Sequence, residues 1–144
     1  MDSPSLIPEM VPDNNIILRT SERNDVAVVI IRRTSGEGKD RAPDKGDYYL
    51  SGGEEDMLTR IRERFKKIVV VLNICGVMDM NWVDRYSIDA VLVAWLAGME
   101  GGNAVAGILC GDINPSGKLA DTFAINYMDY PSSYNFGSFV DGYE

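Results

Sequence analysis

Three short apolar runs, at residues 26–31, 68–72 and 88–94, constrain the fold more than any other feature. Val26-Ala27-Val28-Val29-Ile30-Ile31 and Ile68-Val69-Val70-Val71-Leu72 show no polar alternation, which is the pattern of strands covered on both faces and hence of a parallel sheet flanked by helices. The stretches between the runs are long enough for right-handed crossover connections. The expected fold is α/β: a three-layer α/β/α sandwich with a mostly parallel sheet, in one domain over residues 1–144 with its core at about 13–125 and an irregular tail at 126–144.

Local signals agree with that order. Residues 1–12 hold three of the six prolines and show no period, so they form an irregular lead-in. Asp13 caps a short helix through Ile16, Ile17 and Leu18. Ser51-Gly52-Gly53-Glu54 has the S-x-x-E form of a capping box, which starts a helix with Met57, Leu58, Ile61 and Phe65 on its buried face and a Glu63 to Lys67 pair facing water. A short helix is expected in the crossover 73–86. Gly101 and Gly102 open a small-residue helix at 103–109, narrow enough to lie close on the sheet, and Gly111 ends it.

Composition removes several classes of chemistry. The formal charge of −8 offers no basic surface for phosphates, so nucleic acid and anionic membranes are not expected partners, whereas a neutral sugar suits the chain. There is no histidine, which removes the Ser-His and Cys-His nucleophiles and the commonest metal ligand. No metal and no cofactor are expected. Cys75 and Cys110 sit among apolar residues without C-x-x-C spacing and are expected as buried free thiols, compatible with a reducing compartment. No apolar run reaches the roughly 18 residues of a membrane-spanning helix.

The stretch that carries chemistry is Ser35-Gly36-Glu37-Gly38-Lys39-Asp40-Arg41, directly after the first apolar run. A strand ending in a glycine turn presents Glu37 at the carboxyl edge of the sheet, where open α/β sheets bind ligands. Read alone, the turn admits two roles: a solvated acid between two turn glycines, or a carboxylate facing a ligand. Phosphate loops do not fit. Gly36-x-Gly38 has Arg41 where the third glycine belongs and puts an anion where pyrophosphate would sit. Gly111 to Gly117-Lys118 has one residue too many, a proline inside and Leu119 in place of the magnesium-binding Ser or Thr. The excursion 41–49 suits a binding edge. Tyr48, Tyr49 and Trp95 supply rings that stack on sugars, with core packing the simpler role for Trp95. Asp40 and Asp47 lie beside Arg41 as natural ion-pair partners.

Ser35-Gly36-Glu37-Gly38-x-Asp40-Arg41 resembles the strand-end motif in the second, C-terminal α/β sandwich domain of glycoside hydrolase family 3, the β-glucosidase and β-xylosidase family. A second block agrees in the same order: Ala94-Trp95-Leu96-Ala97-Gly98-Met99-Glu100-Gly101-Gly102-Asn103-Ala104-Val105-Ala106, then Leu109-Cys110-Gly111-Asp112-Ile113-Asn114-Pro115-Ser116-Gly117-Lys118-Leu119, then Thr122-Phe123. Ala120 and Ala124 replace prolines frequent in that family, and Cys110 an aromatic. The resemblance implies that Glu37 is the catalytic acid/base, with Asp40 and Arg41 supporting the loop or the substrate. It also implies an aspartate nucleophile on a preceding (β/α)8 barrel, a carbohydrate substrate, and an isolated domain that is inactive as a fragment of a larger retaining β-glycosidase. The alternative is a non-catalytic carbohydrate-binding or interaction module of the same fold.

Overall fold

The computed structural model describes residues 10–34 and 41–134. Its elements run α1 (Asn14–Ser21), β1 (Val26–Arg32), α2 (Gly52–Arg62), β2 (Lys67–Asn73), α3 (Trp82–Arg85), β3 (Ala90–Val93) and α4 (Gly101–Cys110), followed by 3-10 turns at Tyr127–Asp129 and Pro131–Tyr134. The three apolar runs form one sheet in the order β1-β2-β3, with both pairings parallel. Val28 lies opposite Val69, and Val71 opposite Leu92.

Side-chain parity builds the core. Ala27, Val29 and Ile31 of β1 and Ile68, Val70 and Leu72 of β2 point to one face, where Ile17 of α1, Leu58 and Ile61 of α2, and Trp82 of α3 meet them in a single cluster. The central strand is buried on its other face as well, through Val71. The edge strand β1 differs: Val26, Val28 and Ile30 are 45–57% exposed on the face away from α1 and α2.

Helix ends follow the local chemistry. Asp13 accepts the Asn15 N–H at 2.7 Å and starts α1. Ser51 accepts the Glu54 N–H while Glu54 accepts the Ser51 N–H, so the capping box of α2 is complete. Gly111 ends α4 at φ +83°, a left-handed turn that costs glycine little.

Three expectations are corrected. The Glu63–Lys67 helix pair does not exist, because α2 ends at Arg62 with Glu63 as its cap and Lys67 already begins β2; Phe65 is buried from the connection instead. The cysteines form no disulfide, but Cys75 is only half-buried and Cys110 is exposed near the end of α4, so apolar neighbours in sequence did not translate into burial. Finally, α4 does not lie close on the sheet: Ala104, Val105 and Ile108 face Val91 and Val93 across a groove of about 870 Å³ that Leu119 and Phe123 also line.

Candidate functional site

The candidate site is organised at the carboxyl ends of β1 and β2, where the first strand leads into the Gly36-Glu37-Gly38 segment. Glu37 and Asp40 lie outside the described residues. Their two flanks, Arg33 and Arg41, are described, and both are tied to Asp47.

Arg33 continues the inward parity of Ala27, Val29 and Ile31, and its backbone N–H extends the ladder to the Asn73 carbonyl. Its guanidinium is therefore buried at the end of the sheet. It meets Glu54 in a two-pronged pair, Nη1 to Oε1 at 2.6 Å and Nη2 to Oε2 at 2.8 Å, and Nε donates to the Asp47 carbonyl at 2.8 Å. Nη1 also reaches the Arg32 carbonyl and Nη2 the Tyr49 carbonyl. A buried guanidinium is tolerable only when its charge and its donors are met in this way.

Arg41 anchors the other flank. Its Nη1 donates to Asp47 Oδ1 at 2.8 Å, its Nη2 donates to the Cys75 carbonyl just beyond β2, and Asp47 Oδ2 accepts the Ala42 N–H at 2.9 Å. Asp47 thus receives Arg33 on its carbonyl and Arg41 with Ala42 on its carboxylate. One residue joins both ends of the segment 35–40. The sequence offered Asp40 and Asp47 as ion-pair partners for Arg41; the structure pairs Arg41 with Asp47.

Aromatic packing seals this junction. Tyr48 is 1% exposed, with Tyr49 and Tyr127 edge-on at 5.0 and 5.1 Å, so it is removed from any sugar and its expected stacking role is corrected to a core one. Burial, with Tyr130 and Asp79 nearby, pushes its phenol well above the usual tyrosine range. The Tyr127 hydroxyl donates to the Arg41 carbonyl at 3.3 Å, which brings the segment after residue 125 onto the same junction. Trp95 stacks on Phe123 at 6.3 Å and packs against the core, as its position at a strand end suggested. Tyr49 remains half-buried at an open cleft.

Arg33 and Glu54 escaped the sequence reading as a pair. The signal was present: Arg33 keeps the inward parity of the strand, and a charge at an inward position demands a partner. Among the described residues no group of three or more acidic or cysteine side chains is arranged to hold a metal ion, and no helix is long and apolar enough to cross a membrane.

Residues 13–143 match the family model described as the glycosyl hydrolase family 3 C-terminal domain. The chain belongs to that family. It is 42% identical over 128 residues to a β-glucosidase of Ruminococcus albus, covering 89% of this chain and 14% of that protein. Its fold superposes with a TM-score of 0.86 on a β-glucosidase of Paenibacillus barengoltzii, at 41% identity, over 91% of this chain and 15% of that one. β-Glucosidase 3B of Thermotoga neapolitana, solved in complex with α-D-glucose, superposes at 0.82 with 41% identity, over 90% of this chain and 19% of that one. The chain therefore spans less than a fifth of the length of each of these relatives.

Proposed function

We propose that this chain is the acid/base-bearing domain of a retaining β-glycosidase of the β-glucosidase type, and that Glu37 is the acid/base. The observation that carries the reading is the position of Glu37, in a family 3 C-terminal domain, within a segment whose two flanks are fastened to each other through Asp47. A group that must reach a glycosidic oxygen needs such anchoring, because proton transfer works only within hydrogen-bond reach.

Glycoside hydrolysis with retention uses two carboxyl groups across the scissile bond. Glu37 protonates the departing oxygen and then, as carboxylate, deprotonates the water that frees the sugar. The nucleophile comes from a preceding barrel domain of the longer protein, and the substrate is a carbohydrate. Arg41 is neutralised by Asp47, so its charge does not by itself hold a neighbouring acid in the ionised form. The raised pKa that a general acid needs comes from burial against the barrel and the bound sugar. Asp40 supports the same segment.

In the full-length enzyme, Glu37→Gln is expected to slow glycosides with poor leaving groups by about 10²–10⁴-fold and activated aryl glycosides far less, with azide restoring part of the lost rate. Equal, small losses on both substrate types would assign Glu37 to the shape of the loop and place the acid elsewhere.

A further inference from the structure

Next to the Asp47 junction, and lined by none of its ion-paired side chains, lies an open cleft of about 420 Å³ whose walls include Lys45, Tyr49, Glu55, Asp79, Asn81 and Arg85. Its volume falls within the roughly 300–1,000 Å³ range of small-molecule sites. We propose that this cleft binds a neutral carbohydrate ring; the choice of ligand class rests on the carbohydrate reading above.

Charge selects the ligand class. Two cationic and two anionic side chains line the cleft, so a free anion meets Glu55 and Asp79 and a free cation meets Lys45 and Arg85. An apolar ligand offers the carboxylates of Glu55 and Asp79 no hydrogen-bond donor. A polyol fits, since each hydroxyl both donates and accepts.

The polar groups are also pre-set. Glu55 accepts Lys45 at 2.8 Å on one oxygen and Arg85 at 3.2 Å on the other, which holds both cations while leaving them further N–H donors. Asp79, only 9% exposed, accepts the Asn81 side-chain N–H at 2.6 Å, and Asn81 donates its other N–H to the Ile125 carbonyl at 2.8 Å. The Asn81 amide is thus fixed through its nitrogen, with its oxygen available as an acceptor. Tyr49, held edge-on by Tyr48, adds an aromatic surface with little conformational freedom left to lose.

The test is an NMR titration of the 144-residue chain, labelled with ¹⁵N, with glucose, xylose, cellobiose and, separately, inorganic phosphate. Saturable shifts in the millimolar range at Tyr49, Asn81 and Arg85 are expected with at least one sugar and not with phosphate. Arg85→Ala, at an exposed side chain, should keep the spectrum of the folded chain and weaken sugar binding about tenfold, as expected for one lost charge-assisted hydrogen bond. The titration reads binding alone, so its outcome is independent of the catalytic assignment. Absence of saturable shifts, a response to phosphate in place of sugar, or binding that survives both Arg85→Ala and Tyr49→Ala would overturn the proposal.

Discussion

Glu54 and Glu55 are consecutive residues in the first turn of α2, yet they belong to two regions with opposite physics. One residue along a helix is a rotation of about 100°, which turns Glu54 into the core and leaves Glu55 at the surface. Glu54 is 1% exposed and closes a two-pronged pair with Arg33 at the base of the Glu37 segment. Glu55 bridges Lys45 and Arg85 at the rim of an open cleft. The buried pair is suited to fixing one geometry, because breaking it leaves a charge without water. The exposed bridge is suited to recognition, because its members exchange partners with solvent at little cost.

The comparison breaks if the buried pair proves dispensable. Glu54→Ala leaves the Arg33 guanidinium buried without its carboxylate and also removes half of the capping box, so a loss of about 3–5 kcal/mol is expected in urea denaturation of this chain. The double variant Arg33→Met with Glu54→Leu removes both charges and should recover most of that loss. A Glu54→Ala cost no larger than that of a surface ion pair would show that water reaches Arg33 and that the base of the segment is not dry.

This contrast also marks how far the sequence could be read. The parallel sheet was legible because β-branched runs without alternation are typical of parallel strands, although the outer face of β1 stays exposed, and the caps of α1 and α2 were legible because Asp13 and the Ser51–Glu54 box act over three residues. The pair Arg33–Glu54 spans 21 positions and Tyr127–Arg41 spans 86, and no local pattern encodes a partner at such a distance. Tyr48 and Tyr49 look alike in sequence, and only packing against Tyr127 and Tyr130 decides that the first is core and the second borders a cleft. The candidate site was proposed from Arg41 and the glycine-flanked Glu37; that Asp47 joins the two flanks was not legible, since half of its role is played by a backbone carbonyl that any residue type provides.

Asp47 sharpens the comparison from the catalytic side. Asp47→Ala cuts the contacts to Arg41 and to the Ala42 N–H while leaving the Arg33 bond to its carbonyl intact, so about 1–3 kcal/mol of stability should be lost and the fold kept. In the full-length enzyme the same change should lower kcat for glycosides with poor leaving groups more than for activated ones, with KM changing less, because the proton donor is displaced and not removed. A uniform loss across leaving groups would mean that Asp47 serves the fold alone.

The smallest effect is the most diagnostic of the exposed region. A hydrogen bond from Lys45, with Arg85 adding to it, holds the Glu55 carboxyl below its ordinary 4.5, and the backbone N–H of Ile68, helped by Arg62, holds Asp89 below its ordinary 3.8. Both groups stay ionised in the folded chain at pH values where the unfolded chain has already taken up protons. Their stabilisation is therefore complete above the ordinary values and is lost as pH falls through the lowered ones. Urea denaturation at decreasing pH should show this decline, and Glu55→Gln or Asp89→Asn should each flatten part of it. Salt separates the two causes. The Glu55 contribution is first a bond between exposed charged side chains and should shrink with added sodium chloride, whereas the Asp89 contribution is first a bond to a main-chain N–H and should persist. If both vanish together in salt, the Asp89 bond to Ile68 is not what sets its acidity; if neither does, Glu55 is held by something firmer than a surface bridge, and the cleft is more rigid than its exposure implies.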